Sequence, residues 1–206
     1  MSRTSSSKPD SSSPQPHRPA AVDPAQLHIV SYPDPVLLQK ATYVPAADAQ
    51  TQAVATRMVA LMFQAEGIGL AAPQVGLPWR MFVLHVPEDT EADDGPRLAS
   101  STPPEATLTP RVYIDPKITA YRGSLCPFEE GCLSLPGIRG EVYRPPQVTV
   151  TAIGLDGKPF TEEAGGLLAR CIQHELDHLN GVLIIDKMTQ PSRMKNKKKI
   201  KELEQG

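Results

Sequence analysis

The stretch QHELDHLNG, Gln173 to Gly181, decides how the rest of the chain is read. It reads as the end of a helix running from about 165 to 180, with Gly181 at its C-terminal cap. On a helix, residues i and i+4 share one face, one turn apart. His174 and His178 can therefore close on one ion, with nitrogen–metal bonds of about 2.0–2.1 Å. Glu175 sits next to the first histidine. From there its carboxylate can lie beside an open coordination position, take a proton from bound water and return it to a leaving group. HELDH alone is a short match, and an ordinary helix with two histidines and a solvated glutamate also satisfies it.

Upstream of this helix the chain reads mostly as strands. RMFVLHV (Arg80 to Val86), Arg111 to Ile114, Lys117 to Cys126 and Glu141 to Tyr143 are strand candidates. In Gln147 to Ile153, Val148, Val150 and Ala152 alternate with polar residues, the period of a half-buried strand. Asp156-Gly157 is a hairpin signal leading into 158–164. One earlier helix is expected from about 46 to 66, where Val54, Met58, Leu61, Met62 and Ala65 recur at spacings of three and four. GIGLAAPQVG (Gly67 to Gly76) then reads as a loop of tight backbone geometry. The fold class is α+β, with mostly antiparallel sheets packed around a central helix carrying HExxH.

The rest of the chain bounds the class. Its 206 residues suggest one domain with trimmings. The 22 prolines are about twice the usual share, and ten of them fall in residues 1–26 and 87–110. Residues 1–26 read as a disordered Ser/Pro-rich tail. Arg3, Lys8 and Arg18 leave an organelle transit peptide as the alternative, although Asp10 and the prolines weaken it. Residues 87–110 read as a long mobile insertion, and 189–206 as a basic C-terminal helix or tail. Ser192 is the expected cap of that helix. Its basic-then-acidic order opposes the helix dipole and predicts fraying. A net charge of −2 gives no global field for nucleic acid, and no apolar run is long enough to span a bilayer. Three cysteines without a secretory signal point to a reducing compartment.

A catalytic metal needs a third protein ligand. In one protease pattern a third histidine would fall at position 184, which is Ile184 here. Glu202 and Glu204 lie in the lysine-rich tail. Cys171 and His178 are separated by about 10.5 Å along a helix axis, too far to serve one ion easily. Cys171 and Cys126 read as packed thiols. Cys132 follows Gly131 in EEGCLSLPG, where a backbone free of side-chain bulk could approach an ion closely. A thiolate with two imidazoles leaves one position for water. Such a donor set by itself points to zinc.

GIGLAAPQVG, EGCLSLP (Glu130 to Pro136) and QHELDH (Gln173 to His178), in this order, resemble the three motifs of the peptide deformylases. The resemblance covers about 27–188, read as the catalytic domain. It implies Cys132, His174 and His178 as metal ligands and Glu175 as general base. Gln74 and the Leu133 backbone N–H would stabilise the oxyanion. Ile68 and Gly69 would line the methionine site, and Arg139 would meet the peptide beyond the methionine. The implied reaction is attack of metal-bound hydroxide on the formyl group of the N-terminal methionine of new polypeptides. The implied metal is Fe(II), with zinc, nickel or cobalt as substitutes. A basic C-terminal helix can dock on the ribosome in bacterial members. The protein is expected to be a monomer of bacterial cytoplasm, or of a eukaryotic organelle given its N-terminal tail. Two other classes compete with this reading. An HExxH endopeptidase would need a third His or Glu ligand, and a non-enzymatic metal-stabilised module would favour a fourth protein ligand. Arg170, one turn before His174, is expected either to pair with an acid such as Glu130 or to be solvated. Met58, Met62 and Trp79 are expected to be packing residues.

Overall fold

The computed structural model describes residues 21–44, 47–93 and 95–205. The expected tail lies outside it as far as residue 20. Its last residues do not continue as a tail, because Pro24–Gln26 form a 3-10 turn capped by Asp23, and Val22 packs on the core. The elements in chain order are α1 (Ala49–Gln64), β1 (Gly69–Ala71), β2 (Met81–Leu84), β3 (Arg111–Arg122) and β4 (Cys126–Gly131). They continue with β5 (Arg139–Arg144), β6 (Gln147–Ile153), β7 (Pro159–Gly165), α2 (Gly166–Leu179), α3 (Ile184–Lys187) and α4 (Gln190–Glu204).

Five strands form one antiparallel sheet in the order β1-β2-β3-β6-β7, and β4 pairs with β5 in a separate antiparallel ribbon. The α+β class with antiparallel sheets is therefore what the chain adopts. Strand β2, inside the sheet between β1 and β3, is buried at every position, and its alternation explains why. Met81 and Val83 enter one apolar cluster with Val54, Met58 and Met62 of α1, while Phe82 and Leu84 enter a second with Ile172 and Leu176 of α2. The sheet is thus covered on one face by α1 and on the other by α2. Truncating a fully buried side chain here, such as Met58→Ala, should cost about 2–5 kcal/mol. Trp79 is buried in the α1 cluster, as expected of packing.

Several sequence expectations shift for physical reasons. The loop expected over 67–76 contains β1 and a 3-10 turn, Ala72–Val75. Two expected strands, 111–114 and 117–126, merge into one long strand that ends at Arg122, and Cys126 already begins β4. A register shift lies between Ile114 and Lys117, and Asp115 takes φ +50° there. After Gly181 the chain forms the short helix α3 from Ile184. Thr189, not Ser192, is the N-cap residue of α4, and the helix docks along β5 instead of fraying. Burial of Asn196 and Ile200 outweighs the unfavourable dipole order. The described residues of 87–110 form no helix or strand, but Ala106 and Thr107 are buried and Thr107 Oγ1 accepts from Val86 N. Gly181, at φ +71°, ends α2 where any Cβ would stand 2.8 Å from the Leu38 carbonyl oxygen.

Candidate functional site

Helix α2 runs between the large sheet and the β4–β5 ribbon, and the site forms on its ribbon side. His174 Nε2 lies 3.2 Å from His178 Nε2, which lies 3.3 Å from Cys132 Sγ. All three donor atoms fall within 4.8 Å of one another, and they are the group among the described residues able to hold an ion. Cys132 reaches them from the turn after β4. Cys171 does not join them; its thiol faces Ile68 O at 3.5 Å and is buried, which pushes its pKa well up. Cys126 sits at the far end of β4, with Sγ against Arg144 O at 3.4 Å. Ile184 is buried in an apolar cluster, far in character from a ligand.

The donor set is held by a buried charge network. His174 Nδ1 lies 3.0 Å from Glu130 Oε2, so the other ring nitrogen faces Cys132 and His178. Glu130 also accepts from Arg144 Nε at 2.7 Å and Arg170 Nη1 at 2.9 Å. Burial alone would raise the Glu130 pKa, but these donors outweigh it and hold the carboxyl well below its usual range. Arg144 continues to Asp177 on α2 at 2.7 Å. Arg170 is therefore not solvated. It pairs with Glu130, caps the Val142 and Cys126 carbonyls, and lies 5.1 Å over the Phe128 ring. Burial, with His174 and Arg144 nearby, pushes His178 well below its usual pKa. A neutral imidazole is the form that binds a metal.

Glu175 is 3% exposed, and its Oε2 finds no hydrogen-bond partner among the described residues. Burial raises its pKa to about 7, against the opposing pull of His174 and Arg144. A carboxylate near neutrality, with one oxygen unengaged, is suited to taking and returning a proton. The glycine of β1 makes room for it. A Cβ on Gly69 would collide with Glu175 Oε1 and stand 2.8 Å from Cys171 Sγ. Gln74 is fully buried by its own loop. Its Oε1 accepts from Ala71 N at 2.8 Å, and its Nε2 points to Cys132 Sγ at 3.5 Å and Ser134 Oγ at 3.4 Å.

A cavity of about 500 Å³ opens over these groups. Ile68, Gly69, Gln74, Cys132, Leu133, Arg139, His174 and Glu175 all line it, so every sequence-predicted residue except His178 faces it. His178 lies behind the wall, 1% exposed. Arg139 is at the open side, more than half exposed and paired with Glu129 at 2.9 Å. Sequence reasoning missed Glu130, Arg144 and Asp177 as supports. Glu130 had a signal: it lies two residues before Cys132 on a strand, where a carboxylate facing inward must find a cation.

The chain is similar to known proteins over most of its length. The family model for polypeptide deformylase matches residues 26–194. A curated peptide deformylase of Opitutus terrae is 45% identical over 168 residues, covering 81% of this chain and 87% of that protein. One from Agrobacterium fabrum is 42% identical over 165 residues, covering 80% and 88%. Among solved structures, a peptide deformylase from Ehrlichia chaffeensis superposes with a TM-score of 0.76 at 32% identity, covering 87% of this chain and 95% of that one. A Plasmodium falciparum peptide deformylase in complex with an inhibitor gives 0.72 at 34% identity, covering 86% and 99%.

Proposed function

The chain belongs to the peptide deformylase family and is an enzyme of it, and from that premise we propose that it hydrolyses the formyl amide on the N-terminal methionine of newly made polypeptides. The observation that carries the reading is the placement of a buried, half-engaged Glu175 beside a Cys132/His174/His178 donor set, of which Cys132 and His174 line the same cavity as Glu175. One thiolate and two imidazoles form a three-ligand set suited to a divalent ion, and we assign Fe(II), with zinc, nickel or cobalt as substitutes. Such an ion supplies a Lewis acid that makes water a stronger acid near neutral pH.

The chain's own groups do the rest. Glu175 takes a proton from the attacking water. The water oxygen bonds to the formyl carbon, and charge gathers on the formyl oxygen. The Gln74 amide and the Leu133 backbone N–H are the donors for that charge; removing one such donor typically costs about 2.7–4 kcal/mol of barrier. The carbon–nitrogen bond then breaks, and Glu175 returns its proton to the departing amine. Formate and a free N-terminus result. Ile68 and Gly69 line the methionine side chain's place, and Arg139 at the open side meets the peptide beyond it. Two features weigh against an endopeptidase: Ile184 occupies the third-ligand position of one such pattern, and Glu202 and Glu204 lie on α4 outside the donor set.

The test uses protein prepared without oxygen and a formyl-methionine tripeptide, with formate and internal fragments quantified together. Formate release that disappears in Glu175→Ala is the expected result. Internal cleavage without formate would transfer the protein to the protease reading.

The exposed Lys195, Lys197, Lys198 and Lys201 of α4 further suggest contact with ribosomal RNA. Because α4 is docked on β5, that idea is better tested by replacing these lysines with Gln than by deleting the helix. Salt-sensitive ribosome binding should fall; unchanged binding would refute it.

A further inference from the structure

Strand β5 has two edges. One pairs with β4. The other is capped by α4, residue after residue. Thr189 N donates to Glu141 O at 2.9 Å, and Ser192 Oγ accepts from Glu141 N at 3.0 Å. Asn196 Nδ2 donates to Arg139 O at 2.7 Å and to Ser192 O at 2.9 Å. One turn on, Lys199 Nζ donates to Gly137 O at 2.7 Å. Asn196 is 6% exposed, so its amide is committed to these bonds. The carbonyls it and Lys199 hold belong to the segment Gly137, Ile138 and Arg139, all three of which line the cavity. Ile138 is fixed from the same direction by packing in the cluster that contains Ile200 of α4. Gly137, at φ +71°, is where this segment bends.

We propose that α4 is part of the peptide-recognition apparatus, with Asn196, aided by Lys199, a positioning residue that holds the Gly137–Arg139 wall of the cavity in place. The inference rests on the reading of Arg139 as a contact for the peptide beyond methionine. Arg139 is long and mostly exposed, and its reach depends on where its backbone stands. With the Arg139 carbonyl left unpaired, the strand edge can shift, and residues after methionine bind less well. The methionine itself is held by Ile68 and Gly69 from the other wall, so it is little affected.

The measurement is KM and kcat of the iron-loaded enzyme, made without oxygen, for two substrates. One is formyl-methionine amide and the other is a formyl-methionine tripeptide. The quantity read is the ratio of the tripeptide KM to the amide KM. Asn196→Ala should raise that ratio about five- to tenfold. Lys199→Met, which alters an exposed side chain and leaves the fold intact, should raise it about two- to threefold, and Lys199→Arg should restore it because it keeps a donor. A purely structural role would lower the melting temperature of Asn196→Ala without moving the ratio, and that result would overturn the proposal. Arg139→Ala separates the two layers. If it raises the ratio while Asn196→Ala and Lys199→Met leave it flat, the positioning role alone falls. If all three are flat, the Arg139 reading falls and the positioning role with it.

Discussion

Helices α2 and α4 are nearly equal in length, 14 and 15 residues, yet they carry their charge in opposite ways. Helix α2 buries ten of its residues, among them Arg170, Glu175 and His178; Arg170 is paired with Glu130, while Glu175 Oε2 and His178 Nδ1 have no hydrogen-bond partner among the described residues. Helix α4 buries only Asn196 and Ile200, and its lysines stand in solvent. A charge in α2 is therefore expensive and specific: Arg170 is paired and fixes the position of Glu130, whereas Glu175, left half-engaged, is pushed toward neutrality by burial. Apart from Lys199, which is tied to Gly137 O, a lysine charge in α4 is cheap and interchangeable, its worth screened by water and salt. The site is built on the first kind of charge. The second kind decorates a helix whose docking comes from Ser192, Asn196, Lys199 and Ile200.

Substitutions can break this contrast. The largest effect belongs to Glu175. Glu175→Gln should lower turnover by about 10²- to 10⁴-fold while metal stoichiometry stays the same, since the lost group is a proton carrier and not a ligand. Full activity in this variant would mean the proton passes elsewhere. Next comes Glu130, which holds His174 and two arginines. Glu130→Gln should weaken metal affinity about 10- to 100-fold by freeing the His174 ring. It should also destabilise the fold by about 3–5 kcal/mol, because Arg170 loses its buried counter-charge and Arg144 keeps only Asp177. Metal titration and thermal unfolding read the two effects separately.

Asp115 stands between the extremes. It is half-buried at the kink in β3, accepts from Val44 N at 3.2 Å, and faces Arg80. Burial lifts its pKa from 3.8 to about 6, only partly offset by the Val44 amide and Arg80. The folded state then holds the proton more firmly than the unfolded one, so stability declines as pH rises between these values. The contribution is fully present below about 3.8 and gone above about 6. Asp115→Asn should flatten that decline in melting temperature across the window. A variant with the same pH profile as the parent would show that the carboxyl does not titrate there. The smallest effect is expected from Lys195, Lys197, Lys198 and Lys201. Replacing any one by Gln should change stability by no more than about 0.5 kcal/mol.

The same contrast explains what was legible in the sequence. The spacing of His174 and His178 and the alternation of Val148, Val150 and Ala152 are local, and both elements are where the pattern puts them. The helix over 46–66 and the turn at Gly157, φ +75°, are likewise local and hold within a few residues. What escaped is set by distant partners. Glu130 supports His174 across 44 positions of sequence, and nothing local names its partners. The single strand through Asp115 depends on pairing with β6. The docking of α4 depends on a strand edge that a lysine-rich sequence gives no reason to expect. The resemblance to a known family supplied the ligand set and the base, while the reasons for Gly69 and Gly181 needed the coordinates.

The central claim is that Cys132, His174 and His178 together hold one ion beside Glu175. The most direct test is the absorption spectrum of the cobalt-loaded protein, recorded with metal content on the same sample, for the parent, Cys132→Ser and Cys171→Ser. The account predicts one equivalent of cobalt with a thiolate-to-metal charge-transfer band that survives in Cys171→Ser and is lost in Cys132→Ser. A band that persists in Cys132→Ser, or no thiolate band in the metal-loaded parent, would contradict it.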